Sequence, residues 1–220
     1  MPKNKIYPEL ETIGSNNTKP VIICDADQVI FNFMDGLIKY LKKNDLLFKW
    51  KSYALNGNII NKQGVPLSSL EIKLLLKDFF LNCTSEMSLI KGAKSSLKKL
   101  STYFDIIILS NIPFDYYEQR KLALKKNHLN FPFIANKGGK GETCHSIFNM
   151  FNKRTWFIDD SPHQILSVKQ AVPKISTILY INDIRLAKLL DNEKCWDYYS
   201  NTWNENLKIF MDFINYDRHK

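Results

Sequence analysis

Val21-Ile22-Ile23-Cys24-Asp25-Ala26-Asp27-Gln28-Val29 is a short apolar run, mostly β-branched, that ends in two aspartates separated by one alanine. A continuous apolar run of this length reads as a strand buried on both faces, as in the middle of a parallel sheet. The pattern recurs down the chain. Residues 103–109 are isoleucine-rich and end at Ser110, residues 131–135 form a weaker run, residues 155–158 end at Asp159-Asp160, and residues 175–181 close the series. Between the runs, residues 93–100, 116–128, 141–151 and 162–171 read as helices. Strands alternating with helices of this length predict a parallel sheet with crossover connections, a doubly wound α/β core.

The gap between the first two strands is too long for one crossover. Residues 33–46 and 68–80 read as helical, with the turn pair Asn56-Gly57 between them. Residues 33–89 are therefore expected to form an inserted, mainly helical subdomain over one edge of the sheet. The core would then comprise residues 1–32 and 90–182, with residues 1–18 as a polar tail. Residues 183–220 are expected to form a helical extension. Its Trp196, Tyr198, Tyr199 and Trp203 are read first as core cover and second as a homodimer contact.

Bulk composition narrows the classes. The 220 residues are 45% hydrophobic and 24% charged, which suits a globular protein with a real core. No stretch approaches the roughly 20 apolar residues of a membrane span, and the polar first 18 residues carry no apolar signal core. The net charge is +9, but the lysines are spread in ones and twos, so no nucleic-acid stripe is expected. Cys24, Cys83, Cys144 and Cys195 lie far apart, the usage of free thiols in a reducing cytoplasm. Cys144-His145 lacks a second ligand pair at zinc spacing.

In a doubly wound sheet, ligands bind beyond the carboxyl ends of the strands, so what each strand ends in matters. The first ends in Asp25-Ala26-Asp27, the second in Ser110-Asn111 and the fourth in Asp159-Asp160-Ser161. The third is followed by Asn136-Lys137-Gly138-Gly139-Lys140-Gly141. Clustered carboxylates repel one another unless a cation intervenes. A hard divalent cation such as Mg²⁺ takes one or two carboxylates together with waters and a phosphate oxygen. Phosphoryl transfer is catalysed largely by positioning and charge neutralisation, and these strand ends hold the groups it needs.

The four segments, in this order, resemble the four motifs of the haloacid dehalogenase superfamily: the DxD after the first strand, the hydroxyl of Ser110, a lysine ahead of a helix, and an acidic pair. The likeness spans about residues 21–181, and the insertion sits where that family carries helical caps. The resemblance implies a Mg²⁺-dependent phosphatase. Asp25 would be the nucleophile, Asp27 the general acid and base, Ser110 a hydrogen-bond donor to the transferring phosphoryl group, and Lys140 the charge-balancing lysine, with Lys137 in competition. Mg²⁺ would sit among Asp25, the Asp27 backbone carbonyl and one of Asp159 and Asp160, with Asp160 favoured and Asp159 behind it. Asn111 and Gln28 would line the substrate's approach.

Taken singly, each segment has a plainer reading: the acids and Ser110 as helix caps, the lysine as a surface residue. Their joint occurrence favours the site. Two departures stand out. Gln28 occupies a position where the family usually has glycine, and His163 and Gln164 stand where a further acid is frequent. The expected substrate is a small phosphorylated metabolite. A nucleotide or polynucleotide end, stacked on Phe48, Trp50 or Tyr53, is the alternative substrate, and a non-catalytic binding module of the same fold is the third reading.

Overall fold

The computed structural model describes residues 8–11, 13, 18–190 and 194–218, so most of the expected polar tail lies outside the described residues. The sheet is built on β1 (Val21–Cys24), whose four side chains are all fully buried. Taking Val21, Ile22 and Ile23 out of water contributes about 1.5–3 kcal/mol each. β4 (Asp105–Ser110) and β6 (Thr155–Asp159) flank β1, and both pair with it in parallel. β5 (Phe133–Ala135) extends one side; β7 (Ser176–Tyr180) and β8 (Tyr198–Ser200) extend the other. The spatial order is β5-β4-β1-β6-β7-β8, with every pairing parallel. The chain builds outward from β1 to β5, then crosses back to β6. The order reverses beside β1, so the crevice expected of a doubly wound sheet opens at the carboxyl ends of β1, β4 and β6.

α3 (Ala93–Leu100), α4 (Tyr117–Lys126), α5 (Gly141–Phe151) and α6 (Pro162–Ala171) occupy the crossovers, as their periodicity predicts. Between β1 and α3 lies the insertion. It consists of α1 (Phe33–Lys43), a two-stranded antiparallel ribbon of β2 (Leu47–Phe48) and β3 (Ile59–Ile60), and α2 (Ser69–Cys83). α2 opens with a capping box: the Ser68 hydroxyl accepts from the Glu71 N–H at 3.3 Å, and the Glu71 carboxylate accepts from the Ser68 N–H at 2.8 Å. The entry and exit segments of the insertion are tied together. The Asn32 N–H donates to the Ser88 carbonyl at 2.9 Å, the Asn32 side-chain amide donates to the Leu89 carbonyl at 3.0 Å, and the Ile90 N–H donates to the Ile30 carbonyl at 2.8 Å.

The tail differs from its all-helical reading. After the short α7 (Ile184–Ala187) it contributes the edge strand β8, and only then α8 (Trp203–Arg218). α8 covers the sheet through aromatics, with Phe210 packed edge-on against Trp156 at 5.1 Å and Phe104 at 5.2 Å. Trp203 is buried, and its indole N–H donates to the Val29 carbonyl at 2.9 Å, pinning the loop after β1. Tyr198 and Tyr199 sit on the edge strand with part of each ring in solvent; the Tyr198 ring packs 5.4 Å from that of the buried Trp156, and the Tyr199 ring lies 6.4 Å from that of Trp196.

Candidate active site

The loop leaving β1 is a tight reversal. The Ile30 and Phe31 N–H groups both donate to the Ala26 carbonyl at 2.9 Å, and the Gln28 N–H donates to the Phe31 carbonyl at 2.8 Å. The reversal forces Gln28 to φ +60°, a left-handed conformation that suits glycine better than a side chain. Here the Gln28 side chain offsets the cost. Its Oε1 accepts from the Met34 N–H at 2.9 Å and its Nε2 donates to Asn182 Oδ1 at 3.0 Å, which links the start of α1 to the end of β7.

The reversal delivers Asp25 and Asp27 to the crevice. Asp25 is buried and ion-paired to Lys140. Lys140, also buried, donates to Asp159 Oδ2 at 2.7 Å. Asp159 Oδ1 accepts from the Ser161 N–H at 2.9 Å, so both oxygens of Asp159 are engaged. Lys137 is exposed, and it is Lys140 that the structure brings to Asp25 and Asp159. Asp160, the second acid of the pair, is half-buried and accepts no hydrogen bond among the described residues.

Electrostatics follow from this packing. Burial pushes the Asp25 carboxyl from the usual range up to about 7; Lys140 pulls it back, while Asp159 and Asp27 add to the rise. Burial likewise drives Asp160 well above the ordinary carboxylate value, reinforced by Asp159 and Asp25. For Lys140, burial opposes the charge, but Asp159 and Asp25 overcome it and hold the ammonium firmly protonated. Burial also raises the thiols of Cys24 and Cys144, so neither is an activated nucleophile.

Three carboxylates (Asp25, Asp159, Asp160) face one ammonium, which leaves a formal excess of two negative charges. A divalent cation would balance that excess. Among the described residues no three His, Cys, Asp or Glu side chains converge as a metal cage. The donor set is instead the sparse one that suits Mg²⁺, which keeps several waters and takes one or two carboxylates. Among the described residues Asp160 has no hydrogen-bond partner, while both oxygens of Asp159 are committed.

Ser110 is buried at the end of β4, its hydroxyl 3.4 Å from Asp27 Oδ2. Asn111 does structural work: its Nδ2 donates to the Gly138 carbonyl at 2.8 Å, and its Oδ1 accepts from Asn136 Nδ2 at 2.8 Å. Asn136 in turn accepts from the Thr143 hydroxyl at 2.7 Å. This amide chain fixes the glycine-rich turn that presents Lys140. Gln164 helps from α6, accepting from the Lys140 N–H at 2.9 Å. His163 is exposed.

Arg120 is the residue that sequence reasoning missed. It comes from α4, is fully buried, and pairs with Asp27. A signal was present. The inward face of this helical stretch runs Tyr116, Arg120, Ala123, Leu124, so the arginine falls on the helical spacing of core positions, where a charge demands a partner.

No family model and no curated protein matches the chain. Solved structures do. A haloacid dehalogenase-like protein of unknown function from Agrobacterium tumefaciens superposes with a TM-score of 0.62 at 15% identity, over 89% of this chain and 99% of that one. A haloacid dehalogenase-like hydrolase from Streptococcus pneumoniae gives 0.59 at 14% identity, over 88% and 99%. A hydrolase of the same family from Deinococcus radiodurans, with bound phosphate and sodium, gives 0.58 at 13% identity, over 86% and 93%. The chain has the fold of the haloacid dehalogenase superfamily.

Proposed function

We propose that the chain is a Mg²⁺-dependent phosphohydrolase that cleaves a small phosphate monoester through an aspartyl-phosphate on Asp25. The observation that carries this reading is the arrangement around Lys140. One buried ammonium bridges Asp25 and Asp159, while Asp160, at the same strand ends, has no hydrogen-bond partner among the described residues. The Deinococcus radiodurans hydrolase of the same fold has bound phosphate and sodium, ligands of the kind this reading requires.

In this reading an Asp25 oxygen attacks phosphorus, the bond from phosphorus to the leaving oxygen breaks, and Asp27 gives that oxygen its proton. Asp27, now a carboxylate, takes a proton from water. The water oxygen bonds to phosphorus, the bond from phosphorus to Asp25 breaks, and phosphate leaves with both carboxyl groups restored. Ser110 donates to an oxygen of the transferring group, and Lys140 holds Asp25 in place and offsets its charge. Asp25, the Asp27 carbonyl and Asp160 would hold Mg²⁺, which would supply charge neutralisation at the phosphoryl group. Gln28 and Asn111, whose amides are engaged in holding the site's loops, shape the substrate's approach through those loops. Residues 33–89 serve as the cap that encloses a small substrate and excludes water.

The test is hydrolysis of p-nitrophenyl phosphate with Mg²⁺ and with EDTA, beside Asp25→Asn. Activity that requires Mg²⁺ and disappears in the variant is the expected result. A folded, Mg²⁺-binding protein that turns over neither this ester nor a panel of phosphorylated metabolites would overturn the reading.

A further inference from the structure

We propose that Arg120 is the positioning residue of the site: its guanidinium fixes the Asp27 carboxylate in the orientation from which Asp27 serves the leaving group. The proposal rests on the phosphohydrolase reading above and adds to it a residue from outside the four sequence motifs.

Arg120 is the inward-facing basic residue of α4. Lys121, Lys125 and Lys126 on the same helix stay in solvent. The guanidinium lies over the Phe31 ring at 4.5 Å. The Met87 sulfur stands 3.8 Å from Nη2 and 3.9 Å from Nη1. Among the described residues its one carboxylate partner is Asp27 Oδ1, and Nε has no hydrogen-bond partner. An arginine kept for stability would be expected to have its buried donors satisfied. A methionine in this setting of Phe31 and Met87 would fill the space without a desolvation cost, and replacing a buried ion pair by apolar groups is often neutral or stabilising. The pair is therefore poorly explained by stability and well explained by what it does to Asp27.

What it does is geometric. Asp27 stands on the tight loop after β1 with its side chain 23% exposed. Arg120 takes Oδ1, which leaves Oδ2, held only by a long 3.4 Å hydrogen bond from the Ser110 hydroxyl, as the oxygen that carries and passes a proton. Without Arg120 the carboxylate can rotate into the solvent that already reaches it. A misplacement of about 1 Å in a proton-transfer group costs on the order of 100-fold in rate, and the positioned group itself supplies roughly 10²–10⁴-fold.

The leaving group provides a readout that a structural role would not move. p-Nitrophenolate departs without a proton near neutral pH; an alkoxide does not. kcat/KM reports the chemistry only through departure of that group, whatever limits the later hydrolysis. Arg120→Met is expected to lower kcat/KM for ethyl phosphate by roughly 10–100-fold and for p-nitrophenyl phosphate by at least about tenfold less. Arg120→Lys, which keeps a charge without the planar fork, should recover part of the ratio. In an Asp27→Asn background, Arg120→Met should add less than about twofold, because the two act as one unit. Equal losses for both esters, no loss, or full additivity with Asp27→Asn would overturn the proposal. If Arg120→Met fails to fold, the same ratio is read in Arg120→Lys. A folded, Mg²⁺-binding wild-type protein that cleaves neither these esters nor the panel of phosphorylated metabolites overturns the phosphohydrolase reading first, and this inference with it.

Discussion

The Gln164 side-chain carbonyl accepts a hydrogen bond from the Lys140 backbone N–H at 2.9 Å, and the Gln164 Nε2 donates to the Gly138 carbonyl at 3.3 Å. A residue of α6 thus holds both ends of the turn that delivers the lysine. Gln164→Ala removes both bonds and is expected to lower stability by about 1 kcal/mol. It should lower kcat about tenfold, because the ammonium loses its fixed starting point. Mg²⁺ affinity should stay within about twofold, since Asp25 and Asp160 are untouched. Steady-state kinetics and a Mg²⁺ titration followed by thermal shift check this. An unchanged kcat would mean that the two carboxylates alone hold Lys140.

Gly141 opens α5 directly against α6. A Cβ there would stand 2.4 Å from the Ser167 carbonyl oxygen and 3.0 Å from the Ala171 Cβ. The nearest obstacle is backbone and cannot rotate away. Gly141→Ala is expected to cost about 1–3 kcal/mol as overpacking, or roughly 2–12 °C in Tm for a chain of this size, and to displace the neighbouring Lys140. Trimming the Ser167 side chain should not help: Gly141→Ala with Ser167→Ala should melt near the single variant. Full rescue would place the clash at the hydroxyl instead.

Much of this architecture is legible from residue order because buried parallel strands are written as apolar runs: β1, β4 and β6 stand out for that reason. β8 does not, since Tyr198-Tyr199-Ser200 is a three-residue edge with two partly exposed tyrosines, and the surrounding helical pattern hides it. At the site, Asp25, Asp27, Ser110 and Asp159 are legible because the ends of buried strands place them. The choice between Lys137 and Lys140 is not, because both stand in one glycine-rich turn and only tertiary packing buries the second. Arg120 is hidden for a related reason: its partner lies 93 residues away, and only the sheet order brings α4 beside the loop after β1.

Asp27 and Arg120 should answer differently to truncation. Asp27→Ala strands a fully buried guanidinium, and breaking a buried pair from one side costs roughly 3–5 kcal/mol; the partial exposure of Asp27 puts the expectation at the low end. Arg120→Met leaves a carboxylate that solvent can reach, so its Tm should fall by less than that of Asp27→Ala, or rise. Thermal melts of the two variants measure this. A larger loss in Arg120→Met would assign the arginine chiefly to the core.

The acidic excess at the strand ends makes stability depend on pH and metal together. The Asp25 carboxyl lies near 4 in the unfolded chain and about 7 in the folded one, and Asp160 is shifted in the same direction. Between these limits the folded state binds more protons than the unfolded state, so this contribution is fully present below about pH 4 and is lost as pH rises through about 7. Metal-free protein should therefore lose stability from this cluster between about pH 4 and 7, and the stabilisation by saturating Mg²⁺ should grow over the same interval as the carboxylates ionise to receive it. Asp160→Asn removes one of the repelling charges without stranding a partner. It should raise the Tm of metal-free protein at pH 7.5 and abolish most of the Mg²⁺-dependent shift. Thermal melts of both proteins across pH 4–8, with Mg²⁺ and with EDTA, test the two halves separately. A Mg²⁺ shift that survives in Asp160→Asn would place the metal on other ligands, and a lower metal-free Tm would mean that Asp160 has a stabilising partner in solution.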